Sequence, residues 1–101
     1  MAQYRLTDDA RRDLDELLEY IALDSSVERA MKVFARVRDG MRKAAEMPGS
    51  GHYREDLLDR SFKFWMVKPY LIVYRWDVEP IRIIAVVHGA RDLDAFLATR
   101  T

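Results

Sequence analysis

Side chains that could carry acid–base or metal chemistry are few in this 101-residue chain. A metal site needs three or four ligands at suitable spacing, and the two histidines, His52 and His88, belong to no such group. The absence of cysteine excludes a thiol nucleophile and a thiolate zinc site. The glycine-rich segment 48–51 follows a predicted helix rather than a strand, so it lacks the context of a phosphate-binding loop. We therefore expect no catalytic residue, no metal ion and no cofactor.

Basic side chains are the second group with possible chemistry. One set lies in a single predicted helix and consists of Arg29, Lys32, Arg36 and Arg42. It either attracts an acidic partner or is a solvated face that also attracts the neighbouring acidic helix. A second set lies on or beside predicted strands and consists of Arg60, Lys63, Arg75, Arg82 and Arg91. Side chains that project from one sheet face would form a cationic patch for phosphate, but the sequence leaves the strand register open.

Charge and length limit the class of protein. The chain has 17 Lys and Arg against 17 Asp and Glu, so its net charge is zero. Residues 1–24 hold seven acids and three bases, whereas residues 25–46 hold three acids and six bases. Zero net charge argues against a general nucleic-acid binder, and no direct sequence-specific nucleic-acid binding is expected. The sequence shows neither a signal peptide nor a membrane-length apolar stretch. We expect one cytoplasmic domain spanning residues 1–101.

Two amphipathic helices are predicted in the first half of the chain. Apolar residues recur at helical spacing over residues 8–23, after Thr7 as the N-cap and with acids in the first turn. A second helix is expected from Ser25, which forms a capping box with Glu28, to about residue 46, where Pro and Gly follow. The short connection between them predicts an antiparallel helical hairpin.

Strand-like patterns occupy the rest of the chain. Residues 3–6 form a short strand, and residues 61–68, 71–76 and 81–88 form three strands separated by turns. The last strand is apolar on both faces, which indicates a central, doubly covered position. Asp92 is expected to cap a short C-terminal helix. The sequence therefore predicts an α+β fold of order β-α-α-β-β-β, with the hairpin packed on an antiparallel sheet.

An ordered set of residues carries a resemblance to a known family. It includes residues 4–7, Asp13 with Leu14, residues 20–22, residues 48–51, residues 70–74 and the closing strand that runs into residues 88–92. Over residues 3–95 the chain resembles the ParE-like branch of the RelE/ParE superfamily, the toxins of type II toxin–antitoxin modules. The implied fold agrees with the element order read from the residues.

The resemblance implies a toxin whose partners are DNA gyrase and a cognate antitoxin. ParE-like members inhibit gyrase by binding and are not enzymes, whereas RelE-like members cut messenger RNA on the ribosome. RNA cleavage requires a base, an acid and cations at the phosphate. The tail after Asp92 has no Tyr or His, so the nuclease is the weaker alternative. A domain that kept the fold and lost toxicity is a third possibility.

Two surfaces follow from this interpretation. We expect the toxic surface to include His88 and Arg91, with Arg60 as a weaker candidate. An antitoxin is expected to lay a helix in a groove or add a strand at an edge, beside the basic second helix. The predicted antitoxin contacts are Arg29, Lys32, Val33, Arg36 and Phe34, the last only if its ring reaches the groove.

Overall fold

The predicted element order is confirmed. A computed structural model of the chain describes residues 3–51, 62–89, 97, 98 and 100. Its elements in chain order are β1 (Tyr4–Leu6), α1 (Asp8–Asp24), α2 (Val27–Glu46), a 3-10 turn (Pro48–Ser50), β2 (Phe62–Val67), β3 (Tyr70–Arg75) and β4 (Ile81–His88). The expected C-terminal helix lies outside the described residues except for Leu97. No described helix is long and apolar enough to cross a membrane.

The two helix starts differ in how well they were predicted. Thr7 caps α1, since its side chain accepts a hydrogen bond from the Ala10 amide. The predicted capping box of α2 is wrong by one residue, because Ser26 is the N-cap and accepts from the Arg29 amide. Ser25 is unavailable, since its own amide donates to Ile21 and closes α1. The hairpin connection is thus too short for Ser25 to adopt the extended backbone of an N-cap.

The sheet has the strand order β1-β4-β3-β2. The three strands β2, β3 and β4 form the expected antiparallel meander. The first strand, β1, pairs with β4 in parallel, so the complete sheet is mixed rather than antiparallel. Strand β4 is therefore central, between β1 and β3, as its apolar character predicted.

A bulge in β4 decides which side chains face the helices. Val73 pairs with Ala85 and Tyr74 pairs with Ile83, so Ile84 is the extra residue. Before the bulge, Ile83 packs with the helices, and after it Val86 does. Ile84, Ala85 and Val87 instead pack on the opposite face with β2, β3 and Leu97. Both faces of β4 are covered, as predicted.

Helix α2 lies close to the sheet at Gly40. A Cβ atom built on Gly40 would lie 2.6 Å from Val67 Cγ2 and 2.9 Å from Ile72 Cδ1. These distances are shorter than any ordinary carbon–carbon contact, so the lack of a side chain permits this approach. At Gly40 the backbone of α2 therefore packs directly against side chains of β2 and β3.

We predict that Gly40→Ala destabilises the protein. Overpacking costs about 1–3 kcal/mol, and the better helix propensity of alanine offsets at most about 1 kcal/mol. Urea unfolding followed by circular dichroism measures the change. Gly49→Ala is the matched control, because no atom of the described residues, its two chain neighbours aside, lies within 4 Å of the added Cβ. Equal stability of the two variants would contradict the close approach.

Candidate functional surfaces

One candidate surface lies where β4 ends. His88 is exposed and pairs across the sheet with Tyr70, the first residue of β3. The two rings meet edge to face, with centroids 6.2 Å apart. The Gly89 amide donates to the Pro69 carbonyl at 3.0 Å and closes this end of the meander. The histidine is thus presented on a fixed backbone. Arg60 and Arg91, the other predicted target-binding residues, lie outside the described residues.

A second candidate surface is a shallow groove along the first turns of α2, which we call the α2 groove. Its basic side chains are exposed, as the sequence analysis expected. Arg36 Nη2 also donates to the Lys68 carbonyl at 2.7 Å and links the helix to the β2–β3 turn. The residues that line the groove are Ser25, Ser26, Glu28, Arg29, Lys32, Val33 and Arg36.

The two apolar residues predicted on this surface are less accessible than the basic ones. Val33 is buried in the core and reaches the α2 groove only at its floor. Phe34 is half-buried against the same core, and the Arg38 guanidinium lies 5.5 Å from its ring centroid. Phe34 is not among the described lining residues, so its ring turns away from the groove. The basic residues therefore form the accessible part of this surface.

The charges of the helical hairpin are paired within each helix. Arg12 pairs with Asp9 in α1, and Arg42 and Lys43 pair with Asp39 in α2. Hydrogen bonds from Arg42 and then Lys43 hold the pKa of Asp39 below its usual value. Among the described residues no ion pair joins α1 to α2. The described charges of the α2 groove therefore make no direct ion pair with α1.

Lys63 is not part of an accessible cationic patch. It is 5% exposed, and its Nζ donates to the carbonyls of Gly49 and Gly51. The same ammonium lies 4.7 Å from the ring centroid of Trp76. Its role is structural, because it holds the segment after α2 against the sheet.

An ion pair missed in the sequence analysis joins the chain terminus to α1. Arg100 Nη1 and Nη2 donate to the two carboxylate oxygens of Asp13 at 2.5 and 2.8 Å. Each side chain is 13% exposed. The hydrogen bonds from Arg100 to Asp13 raise the pKa of the guanidinium above its usual value. No motif or periodicity in the sequence marks this contact, since the two residues are 87 positions apart.

This ion pair completes the hydrogen bonding of β4. Strand β1 ends at Leu6, opposite Ile83, so it cannot pair with the second half of β4. The Val86 amide donates to Asp13 at 3.1 Å, and the Ile84 carbonyl accepts from Arg100 at 3.2 Å. Buried backbone groups require such partners. Asp13 and Arg100 therefore replace the missing part of the neighbouring strand.

The described residues form a small α+β fold, and comparison with known proteins identifies its family. A sequence model described as the ParE toxin of the type II toxin–antitoxin system, parDE, matches residues 4–93. The chain therefore belongs to the ParE toxin family, as its resemblance implied, and is a toxin of a type II toxin–antitoxin system.

A solved structure has the same fold. It is described as a chromosomal ParDE TA system from P. aeruginosa and superposes with a TM-score of 0.73. The match covers 87% of this chain and 96% of that chain at 17% sequence identity. Comparison with curated protein sequences gives no match. Within the described residues, no group of three or more acidic or histidine side chains is placed to hold a metal ion.

We predict that Arg100→Ala lowers stability by about 1–3 kcal/mol, because it removes the arginine from Asp13 and leaves the Ile84 carbonyl with only the longer hydrogen bond from the Thr7 hydroxyl, at 3.5 Å, among the described residues. Arg100→Lys keeps the positive charge but cannot form two parallel hydrogen bonds to the carboxylate. Its stability should therefore lie between those of the unaltered protein and Arg100→Ala. Urea unfolding measures both variants.

The control is Arg12→Ala, which removes an exposed ion pair with Asp9. Such pairs contribute at most about 1 kcal/mol. If Arg100→Ala were no more destabilising than this control, the stabilising role of the terminal ion pair would be refuted.

Proposed function

We propose that this toxin inhibits DNA gyrase by binding to it, without itself catalysing a reaction, and that a cognate antitoxin neutralises it. Membership of the ParE family supports the proposal most directly. The exposed end of β4, with His88 on a rigid strand, is a suitable binding surface. Arg91 and Arg60 are proposed to extend the same surface.

Ribosome-dependent mRNA cleavage is the alternative to gyrase inhibition. It requires side chains that exchange protons at the 2′-hydroxyl and the leaving oxygen. His88 and Tyr70 are the titratable pair at this end of the described sheet, with their rings in edge-to-face contact. The two functions therefore share a candidate residue, and an experiment must measure both activities.

We predict that the purified chain inhibits DNA supercoiling by gyrase and that His88→Ala and Arg91→Ala each weaken this inhibition about tenfold or more, since truncation of an important interface residue costs more than about 1 kcal/mol. A translating-ribosome assay run in parallel should show no mRNA cleavage. Arg12→Ala, on the helical layer, is the matched control and should inhibit fully.

If both variants still inhibited gyrase fully, His88 and Arg91 would not belong to the target-binding surface. Cleaved mRNA with unaffected supercoiling would replace the gyrase proposal by the nuclease.

The α2 groove is proposed as the antitoxin site. Arg29, Lys32 and Arg36 supply positive charge along one side of the groove. Large apolar side chains on both sides of the hairpin turn are strongly exposed, and these are Tyr20, Leu23, Val27 and Met31. Exposed apolar groups beside a charged groove are typical of a docking site for an amphipathic helix of opposite charge. An acidic antitoxin segment fits this combination.

We predict that Lys32→Glu combined with Arg36→Glu weakens antitoxin binding by about 2 kcal/mol or more, since two charge contacts become repulsive. Isothermal titration calorimetry with the antitoxin encoded beside the toxin gives the affinity, and circular dichroism confirms folding. Arg12→Glu with Arg11→Glu is the matched charge reversal on α1. An unchanged affinity of the α2 variant would exclude the groove as the antitoxin site.

A further inference from the structure

The β2–β3 turn lies between the two candidate surfaces. It consists of two residues, Lys68 and Pro69, since β2 ends at Val67 and β3 begins at Tyr70. Both turn residues are exposed, so burial of their side chains does little to fix the turn. Its position depends on the pairing of the flanking strands and on hydrogen bonds to its own carbonyl groups.

The two carbonyl groups of the turn are held from different layers of the molecule. Arg36 Nη2 on α2 donates to the Lys68 carbonyl at 2.7 Å. The Gly89 amide at the end of β4 donates to the Pro69 carbonyl at 3.0 Å. The turn therefore connects a guanidinium of the α2 groove with the residue that follows His88.

The hydrogen bond from Arg36 has no substitute within the described residues, where no other side chain donates to a carbonyl of the turn. Its donor is ionised, which makes it stronger than a hydrogen bond between neutral groups. Arg36 is also exposed and lines the α2 groove, and it forms no ion pair with a described carboxylate. A partner in the groove can thus reach the group that holds the turn.

We propose that Arg36 is a positioning residue for the end of β4, and that an acidic antitoxin segment in the α2 groove weakens this end by drawing Arg36 away from Lys68. A carboxylate adds the attraction of opposite charges and accepts two parallel hydrogen bonds from a guanidinium, whereas the Lys68 carbonyl accepts one. The coupling rests on the proposed function, since it takes the groove as the antitoxin site and the end of β4 as the target site.

His88 is tied to the turn by two contacts. The Gly89 amide beside it donates to Pro69, and its ring meets that of Tyr70, the residue that follows the turn, with centroids 6.2 Å apart. Release of the turn loosens both contacts. A target that requires the fixed end of β4 therefore binds the antitoxin-bound chain less tightly, and by linkage the antitoxin binds the target-bound chain less tightly by the same factor.

Direct covering of the end of β4 by the antitoxin is the competing explanation of neutralisation. The two explanations predict opposite changes at the Gly89 amide. Covering protects this amide from solvent and slows its hydrogen exchange, whereas release of the turn opens its hydrogen bond and accelerates exchange.

Amide hydrogen exchange followed by NMR on the free chain tests the positioning role. Arg36→Ala should accelerate exchange at Gly89 at least about threefold, because a charge-assisted hydrogen bond to the turn is lost. The Val86 amide, which donates to Asp13, should exchange as in the unaltered protein. Arg36→Lys retains one donor and should restore part of the protection.

Arg38→Ala is the matched control, since it removes an arginine from the same helix whose guanidinium lies over the Phe34 ring of that helix. It should change neither the exchange at Gly89 nor the inhibition of gyrase. Arg36→Ala should inhibit DNA supercoiling by gyrase about threefold less strongly. Addition of the antitoxin encoded beside the toxin to the unaltered chain should accelerate exchange at Gly89.

Unchanged exchange at Gly89 in Arg36→Ala, or an equal acceleration at Val86, would overturn the positioning role whether or not gyrase is the target. Full inhibition of gyrase by Arg36→Ala would overturn it as well. Slower or unchanged exchange at Gly89 on antitoxin binding would overturn the coupling. An unaltered chain that does not inhibit gyrase would refute the proposed target, while the exchange rates still decide whether Arg36 holds the end of β4.

Discussion

Burial of β4 on both faces is the constraint on which the rest of the structure depends. The strand is central, and its bulge at Ile84 reverses the direction of the side chains halfway along. The first half directs Ile81 and Ile83 toward the helices, while the second half directs Val86 there. Because of this reversal, β4 contributes apolar side chains both to the core beneath the helices and to the core on the opposite face of the sheet. Arg82 alternates with Ile81 and Ile83 and therefore faces away from the helical layer.

Arg100 lies beside the edge of β4 and donates a hydrogen bond to it. Because β1 is only three residues long, half of that edge would be left without hydrogen-bond partners. Asp13 from α1 and Arg100 from the terminus provide them. Leu97, close to Arg100 in sequence, is buried in the core on the far face. Leu97 and Arg100 thus contact opposite sides of the sheet.

The sequence predicted what depends on local patterns. Both helices, the three strands of the meander and the central position of β4 follow from periodicity and turn residues. Contacts between distant segments were not predictable in this way. The bulge, the burial of Lys63 and the Asp13–Arg100 pair each depend on register or on the path of the chain. The predicted N-cap at Ser25 is wrong because the Ser25 amide closes α1, so Ser26 caps α2 instead. A capping pattern that considers only one helix does not include the end of the preceding one.

The site was predicted less completely than the fold, for a similar reason. The sequence located the basic side chains of α2, but only packing shows that Phe34 turns away from the groove and that Val33 lies at its floor. The register likewise separates Lys63 from the arginines with which it had been grouped. The protein therefore has two candidate surfaces, which are the α2 groove and the end of β4 at His88. They lie on different parts of the molecule, and the β2–β3 turn connects them.

We propose that this toxin arrests growth through gyrase. Pulse labelling of bacteria after induction of the toxin, with thymidine and amino acids followed in parallel, tests it most directly. The account predicts that DNA synthesis stops first, with loss of plasmid supercoiling, while protein synthesis continues. An immediate stop of protein synthesis with unchanged plasmid topology would contradict it.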